Sequence, residues 1–302
     1  MTAVRVQAPA KVNPWLAVLG RRPDGFHAVD LGMLTLELGD LVEARATTAG
    51  GVQLELAGPA LSPDVPADER NLAWRAAAAV LALAPESEHR GVALRLEKHV
   101  PSRAGLGGGS SDAAAACLAT AGALGFAPRR EELLEILAGL GSDCPFFLAA
   151  ATGFARCTGR GEQVEELPAL TDDWHVVLIT PDLEVPTGAV YARCAEPAAG
   201  PQRALPRFDQ SEQELGHAMF NDLEAPALAQ VPALAAWRQL LDECAPGSRM
   251  SGSGSSFFAC FRERAAATRC LAEIEAAARG RGLALRGRWI TRPAGHGALR
   301  IP

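Results

Sequence analysis

Apolar and polar positions alternate with period two over residues 4–8 (VRVQA) and 92–97 (VALRLE), the pattern of half-buried strands. Over 71–84 (NLAWRAAAAVLALA) and 130–140 (REELLEILAGL) the spacing becomes helical. In the second stretch Leu133, Ile136, Leu137 and Leu140 share one face, and Gly141 follows as a stop signal. From 155 to 173 the chain turns polar and acidic, with Gly159, Gly161 and Pro168, before the apolar strand WHVVLIT at 174–180. That change predicts a domain boundary, giving an N-terminal domain over 1–158 and a C-terminal domain over 159–302. The second half continues with a Pro/Gln/Glu-rich connection at 196–213, a helix near 233–244, a strand at 257–261, a helix at 265–279 and a last strand near 283–290. The order is α+β, without a solenoid repeat, and the alanine-rich tracts read as helices.

A length of 302 residues supports two domains or one large α/β body, and 48% hydrophobic with 21% charged residues fits an ordinary soluble protein. A formal charge of -6 gives no general attraction to nucleic acid or to an anionic membrane, although a small anionic ligand remains compatible with it. Neither a signal peptide nor a membrane-spanning apolar run of ~18 residues is present. Seven singly scattered cysteines, odd in number, suggest neither a disulfide framework nor a zinc site and fit the reducing cytoplasm. Six histidines occur without a metal-binding spacing, so no metal ligand is predicted. Only Lys11 and Lys98 are lysines among 29 basic residues. Either compositional drift spared them, or a compact ammonium is needed where a planar guanidinium would not fit.

The stretch PSRAGLGGGSSDAAAACLA at 101–119 carries the strongest chemical signal. Gly105, Gly107, Gly108 and Gly109 let backbone amides approach a ligand, and Ser110, Ser111 and Asp112 offer N-cap chemistry for a helix through about Leu118. The positive end of that helix predicts an anion site, for phosphate before any other anion. A P-loop is excluded because no Gly-Lys pair exists in the chain. Ser110 and Asp112 stand where the last glycine of a dinucleotide fingerprint belongs, and the residue two past Ser110 is Asp112 rather than the glycine of a hydrolase elbow.

This stretch resembles the Pro-x-x-x-Gly-Leu-Gly-Gly-Gly-Ser-Ser loop of the GHMP kinases. The segments APAKVN (8–13) with GRRPDGFH (20–27), LGSDCPFFL (140–148) and MSGSGSSFFACF (250–261) resemble, within that family, the kinases acting on 4-diphosphocytidyl-2-C-methyl-D-erythritol in the non-mevalonate isoprenoid pathway. The resemblance implies a two-domain fold, an N-terminal ATP-binding domain of the ribosomal protein S5 domain 2-like type and a C-terminal ferredoxin-like domain, with the site between them. It also implies ATP with Mg²⁺ as phosphate donor, phosphorylation of the substrate 2-hydroxyl, no nucleic-acid or membrane partner, and a monomer or weak homodimer.

Residue by residue, the resemblance implies a catalytic pair of Lys11 and Asp143, the carboxylate as general base and the ammonium steadying charge; local sequence alone also permits Asp143 to be a helix cap. ATP phosphates would lie on Pro101, Ser102, Arg103, Ala104, Gly105, Leu106 and Gly107, continuing through Gly108, Gly109, Ser110 and Ser111. Lys98 and Asn71 would flank the adenine, though a solvated strand-end charge and an ordinary N-cap read equally well. Phe26, His27 and Tyr191 would stack on the cytosine, with Tyr191 on its other face. Thr187, Asn13 and the turn Gly252, Ser253, Gly254 would complete the substrate side, with Asn221-Asp222 as support. The chain departs from the family in having Phe26 for the usual tyrosine, Ser253 for threonine, and Pro14-Trp15 after Asn13. The alternatives are a GHMP kinase of the homoserine or mevalonate type, or a nucleotide-binding regulatory protein that has lost catalysis.

Overall fold

The computed structural model describes residues 3–85, 91–171, 173–194 and 203–301. The chain opens with β1 (Val4–Val12), β2 (Trp15–Arg21), β3 (His27–Thr47) and β4 (Gly51–Ala57). It continues through α1 (Leu72–Leu83), β5 (Gly91–Glu97), α2 (Gly108–Leu124), α3 (Arg130–Leu140), α4 (Cys144–Ala149), β6 (Phe154–Thr158) and β7 (Gln163–Glu166). The second half runs β8 (His175–Pro181), α5 (Thr187–Ala192), α6 (Glu212–Ala218), β9 (Phe220–Asn221), α7 (Glu224–Gln230) and α8 (Leu234–Cys244). It ends with β10 (Arg249–Met250), β11 (Phe257–Phe261), α9 (Arg264–Gly280), β12 (Leu285–Thr291) and β13 (Leu299–Ile301). The predicted helices at 71–84, 130–140, 233–244 and 265–279 form within a residue or two of those bounds. Of the 196–213 connection, 196–202 lies outside the described residues.

Strand β3, 21 residues long, is the spine of the first sheet and pairs antiparallel with β1, β2, β5 and β6. β9 and β13 return from the second half to pair with β2 and β1, and β7 pairs with β6. A division at 158/159 would therefore cut the β6–β7 hairpin; the second sheet, β10-β11-β8-β12, opens only at His175. β8 is buried on both faces, which is why it reads as an unbroken apolar run. Val177 and Ile179 face the core shared with α8 and α9, while Val176 and Leu178 pack with Trp15, Leu34 and Trp174 in a cluster joining the two sheets.

Two local features position the site. The β1–β3 register slips between Pro9 and Lys11. Val6 and Ala8 thus face the core under α2 while Ala10 and Val12 face the inter-sheet cluster, and Lys11 comes round to the α2 side. Helix α2 is nearly all buried, and its run of alanines lets α1, β1 and β3 approach closely. It extends past the expected end at Leu118 to Leu124, where Gly125 at φ 72° closes it. The expected capping role of Ser110, Ser111 and Asp112 is also corrected: the helix already begins at Gly108, its N-cap is Gly107 at φ 68°, and no side chain caps it.

Candidate functional site

A cleft of about 810 Å³ lies between the two halves, walled by Lys11, Asn13 and Asp143 on one side and by Tyr191, Gly252 and Ser253 on the other. At its centre the Lys11 Nζ stands 3.7 Å from Asp143 Oδ2. The ammonium donates to Asn13 Oδ1 at 2.7 Å and to the Gly105 carbonyl at 2.9 Å, while Asn13 Nδ2 holds the Gly32 carbonyl. Burial pushes the Lys11 pKa below the ordinary lysine value, and the neighbouring Asp143 charge only partly offsets this. Asp143 precedes α4 but its side chain makes no cap hydrogen bond, and it is about a third exposed to the cleft. The capping alternative therefore fails, and the carboxylate is open to a ligand.

Two glycine-rich turns meet above this pair. Ser251 Oγ donates to the Gly105 carbonyl at 2.9 Å, the Ser256 amide donates to the Ala104 carbonyl at 3.2 Å, and the Lys11 amide donates to the Leu106 carbonyl at 2.9 Å. A Cβ on Gly105 (φ +76°) would lie 2.1 Å from the Ser251 carbonyl oxygen. Asn221 supports the second turn by donating to the Met250 and Gly252 carbonyls, and Asp222 accepts from the Val18 amide. At the substrate wall Thr187 and Ser253 share a hydroxyl–hydroxyl bond of 2.7 Å, and Gly254 lies beneath with Met250 against it.

The aromatic end departs from expectation. His27 and Tyr191 have ring centroids 5.3 Å apart and planes tilted by 33°. A base between two rings needs two contacts of about 3.5 Å, roughly 7 Å in all, so the pair does not leave a slot between them. Phe26 is half exposed and lies under the Arg160 guanidinium, 5.1 Å from the ring centroid. Burial raises the Tyr191 hydroxyl pKa, keeping the phenol neutral.

The two residues expected beside the adenine, Lys98 and Asn71, both have protein partners. Lys98 is 3% exposed, not a solvated strand end; its ammonium is held by Asp40 and by Asp112, the latter at 2.6 Å. Asn71 acts as the N-cap of α1, accepting from the Ala73 amide and donating to the Pro66 carbonyl. Neither lines the cleft. Both lysines of the chain are thus buried, Lys98 between two carboxylates and Lys11 near Asp143. Of the loop residues, Arg103, Gly105 and Gly107 reach the cleft wall; Gly108, Gly109, Ser110 and Ser111 form the first turn of α2, and Ala104 and Leu106 are buried. Pro101 is buried, and Ser102 turns outward toward Asp64.

Sequence reasoning passed over Arg160 and Asp40. Arg160 lies in the 159–161 turn, read only as part of a boundary, and Asp40 is a lone carboxylate inside a strand with no local signature.

The family model described as "GHMP kinases N terminal domain" matches residues 71–151, and that described as "GHMP kinases C terminal" matches 202–280. The chain belongs to the GHMP kinase family. As a GHMP kinase it is a phosphotransferase that uses ATP. It is 37% identical over 270 residues to a Geobacter sulfurreducens protein named 4-diphosphocytidyl-2-C-methyl-D-erythritol kinase, covering 89% of this chain and 94% of that one. A crystal structure of a 4-(cytidine 5'-diphospho)-2C-methyl-D-erythritol kinase superposes with a TM-score of 0.75 at 32% identity, covering 96% of this chain and all of that one. A homoserine kinase from Cytophaga hutchinsonii gives 0.73 at 18% identity, covering 100% and 98% of the two chains, and shares the fold. Among the described residues no helix is long and apolar enough to cross a membrane, and no group of three His, Cys, Asp or Glu is placed to hold a metal.

Proposed function

We propose that the chain transfers the γ-phosphoryl group of ATP to the 2-hydroxyl of 4-diphosphocytidyl-2-C-methyl-D-erythritol, giving the 2-phosphate and ADP in the non-mevalonate route to isoprenoid precursors. The observation that carries the reading is the buried Lys11 beside the accessible Asp143, set between the glycine-rich turn and the aromatic end of one cleft. The 37% identity to a protein of that name supports the substrate.

In this reading Asp143 accepts the proton of the 2-hydroxyl as its oxygen attacks the γ-phosphorus and the bond to the ADP bridging oxygen breaks. Lys11 faces both the carboxylate and the developing negative charge; Asn13 and the Gly105 carbonyl fix its direction. Backbone amides at the start of α2 receive the phosphates. Mg²⁺ carried with the ATP would neutralise charge on its phosphate oxygens. Phe26, His27 and Tyr191 provide faces for the cytosine, and Thr187, Ser253 and Arg160 polar contacts around it.

The test is ADP release with Mg-ATP and, in separate reactions, the cytidyl substrate, the same diol without its cytidyl group, homoserine and mevalonate. Release with the cytidyl substrate alone is expected. Release with a simple alcohol would overturn the substrate, and silence throughout would favour a protein that has lost catalysis.

A further inference from the structure

We infer that Asp40, Lys98 and Asp112 form a positioning triad for the glycine-rich turn, with Asp40 as its hub, an inference that rests on reading this turn as the cradle of the ATP phosphates. The three side chains come from β3, the end of β5 and α2, and each is 4% exposed or less. Asp40 Oδ1 accepts the backbone amides of His99 and of Val100, the latter at 2.8 Å, so one oxygen fixes the chain as it enters the turn. Its other oxygen accepts the Lys98 ammonium, which also donates to Asp112 Oδ2 at 2.6 Å in the fifth residue of α2. Entry and exit of the 99–111 segment are therefore tied to one buried ammonium.

The ammonium lies close to the backbone at the start of α2. A Cβ placed on Gly108, the first residue of α2, would lie 3.4 Å from Lys98 Nζ and 3.2 Å from Val100 Cγ1. A side chain at this position would press on both residues, so the helix start sits close over Lys98 and Val100 only because it is glycine. A compact ammonium fits between two carboxylates under a helix, where a planar guanidinium would need more room. The charge balance agrees with the location. Two ionised carboxylates against one ammonium would leave a net negative charge under an anion site. Burial pushes the Asp112 carboxyl well above the usual range despite the Lys98 charge, and its Oδ1 is buried without a hydrogen-bond partner. For Lys98, burial alone would lower the pKa, but the two carboxylates outweigh it and hold the ammonium charged. The triad is drawn toward neutrality while keeping its geometry.

A purely structural cluster would affect both ligands alike, whereas a positioning triad for this turn acts on the nucleotide. The experiment compares Asp40→Asn, which removes the charged hub, and Asp112→Ala, which removes the acceptor at the α2 end, with the parent. Binding of a non-hydrolysable Mg-ATP analogue and of 4-diphosphocytidyl-2-C-methyl-D-erythritol is measured by calorimetry, and thermal unfolding reports integrity. Tenfold or greater loss of affinity for the nucleotide, with affinity for the cytidyl compound within twofold, is the expected result. Unchanged nucleotide affinity in a folded variant, or equal loss for both ligands, would overturn the triad's role. If Asp40→Asn does not fold, Asp112→Ala at the other end of the bridge decides by the same criterion. A parent that binds the analogue yet phosphorylates no cytidyl compound would overturn the acceptor assignment and leave the nucleotide comparison intact.

Discussion

Lys11 Nζ gives its short hydrogen bonds to Asn13 Oδ1 at 2.7 Å and the Gly105 carbonyl at 2.9 Å, and meets Asp143 Oδ2 only at 3.7 Å. The ammonium is thus fixed by neutral oxygens and acts on Asp143 through charge rather than by occupying its lone pairs. A base that must take a proton from a hydroxyl needs this arrangement, since a carboxylate already saturated with donors would bind the substrate poorly.

Replacing Asp143 with alanine should therefore leave the fold and nucleotide affinity intact and lower kcat by ~10²–10⁴-fold, the usual scale for losing a general base. The check is steady-state kinetics beside a binding isotherm for the ATP analogue. An equal kcat would remove Asp143 from the proton transfer.

Lys11 predicts opposite trends in activity and stability. Its folded pKa lies below the ordinary 10.5, chiefly through burial, so the unfolded chain binds more protons between the two values. As pH rises through that window, the folded state sheds the cost of a buried charge and gains stability relative to a Lys11→Met variant, while turnover falls because the ammonium is lost. Burial raises the thiol of Cys157 and the phenol of Tyr191, so these groups ionise first in the unfolded chain and lower stability over the same limb, an effect that the comparison with Lys11→Met cancels. Paired pH profiles of kcat and of denaturant midpoints test this. A kcat profile flat to 10.5 would contradict it.

Legibility tracked the range of the interaction that creates each feature. Helix α3 was readable because Leu133 and Leu137 repeat on one buried face, a pattern internal to eleven residues. The end of α2 was not, because beyond Leu118 the helix is held by close packing of small side chains around Gly122, where the Arg300 guanidinium fills the space a Cβ would take. Lys11 and Asp143 were found through their flanking motifs. Asp40 lies 58 residues from Lys98 and meets it only through sheet pairing, so no local pattern announces it. The cytosine site was legible in its residues but not in its geometry, since the contact between His27 and Tyr191 depends on how α5 packs beside the β2–β3 turn.

That contact makes Arg160 informative. Its guanidinium covers the Phe26 ring while its Nη2 donates to the Ala138 carbonyl, so it fixes the half-exposed aromatic at the mouth of the cleft. Arg160→Ala should raise KM for the cytidyl substrate about 5–30-fold, the equivalent of ~1–2 kcal/mol for a cation–π contact and its anchored ring, with KM for ATP unchanged. Equal effects on both substrates would place its influence elsewhere.

The seam between the two glycine-rich turns can be tested apart from chemistry. Alanine at Gly105 would hold φ at +76° against its preference and drive its Cβ to 2.1 Å from the Ser251 carbonyl oxygen, which is backbone and cannot swing aside. A loss of stability on the order of 2 kcal/mol is expected, with nucleotide affinity falling because the Gly105 carbonyl no longer meets Lys11 and Ser251. Gly139, inside α3, is the control, since a methyl group added there would meet no atom within 4 Å. Alanine at that position should add about 0.5–1 kcal/mol through helix propensity and leave both substrates unaffected. Equilibrium denaturation of the two variants distinguishes a seam that joins the halves from a turn that tolerates any small residue: a Gly105→Ala protein as stable as the parent would mean that the turns yield to each other.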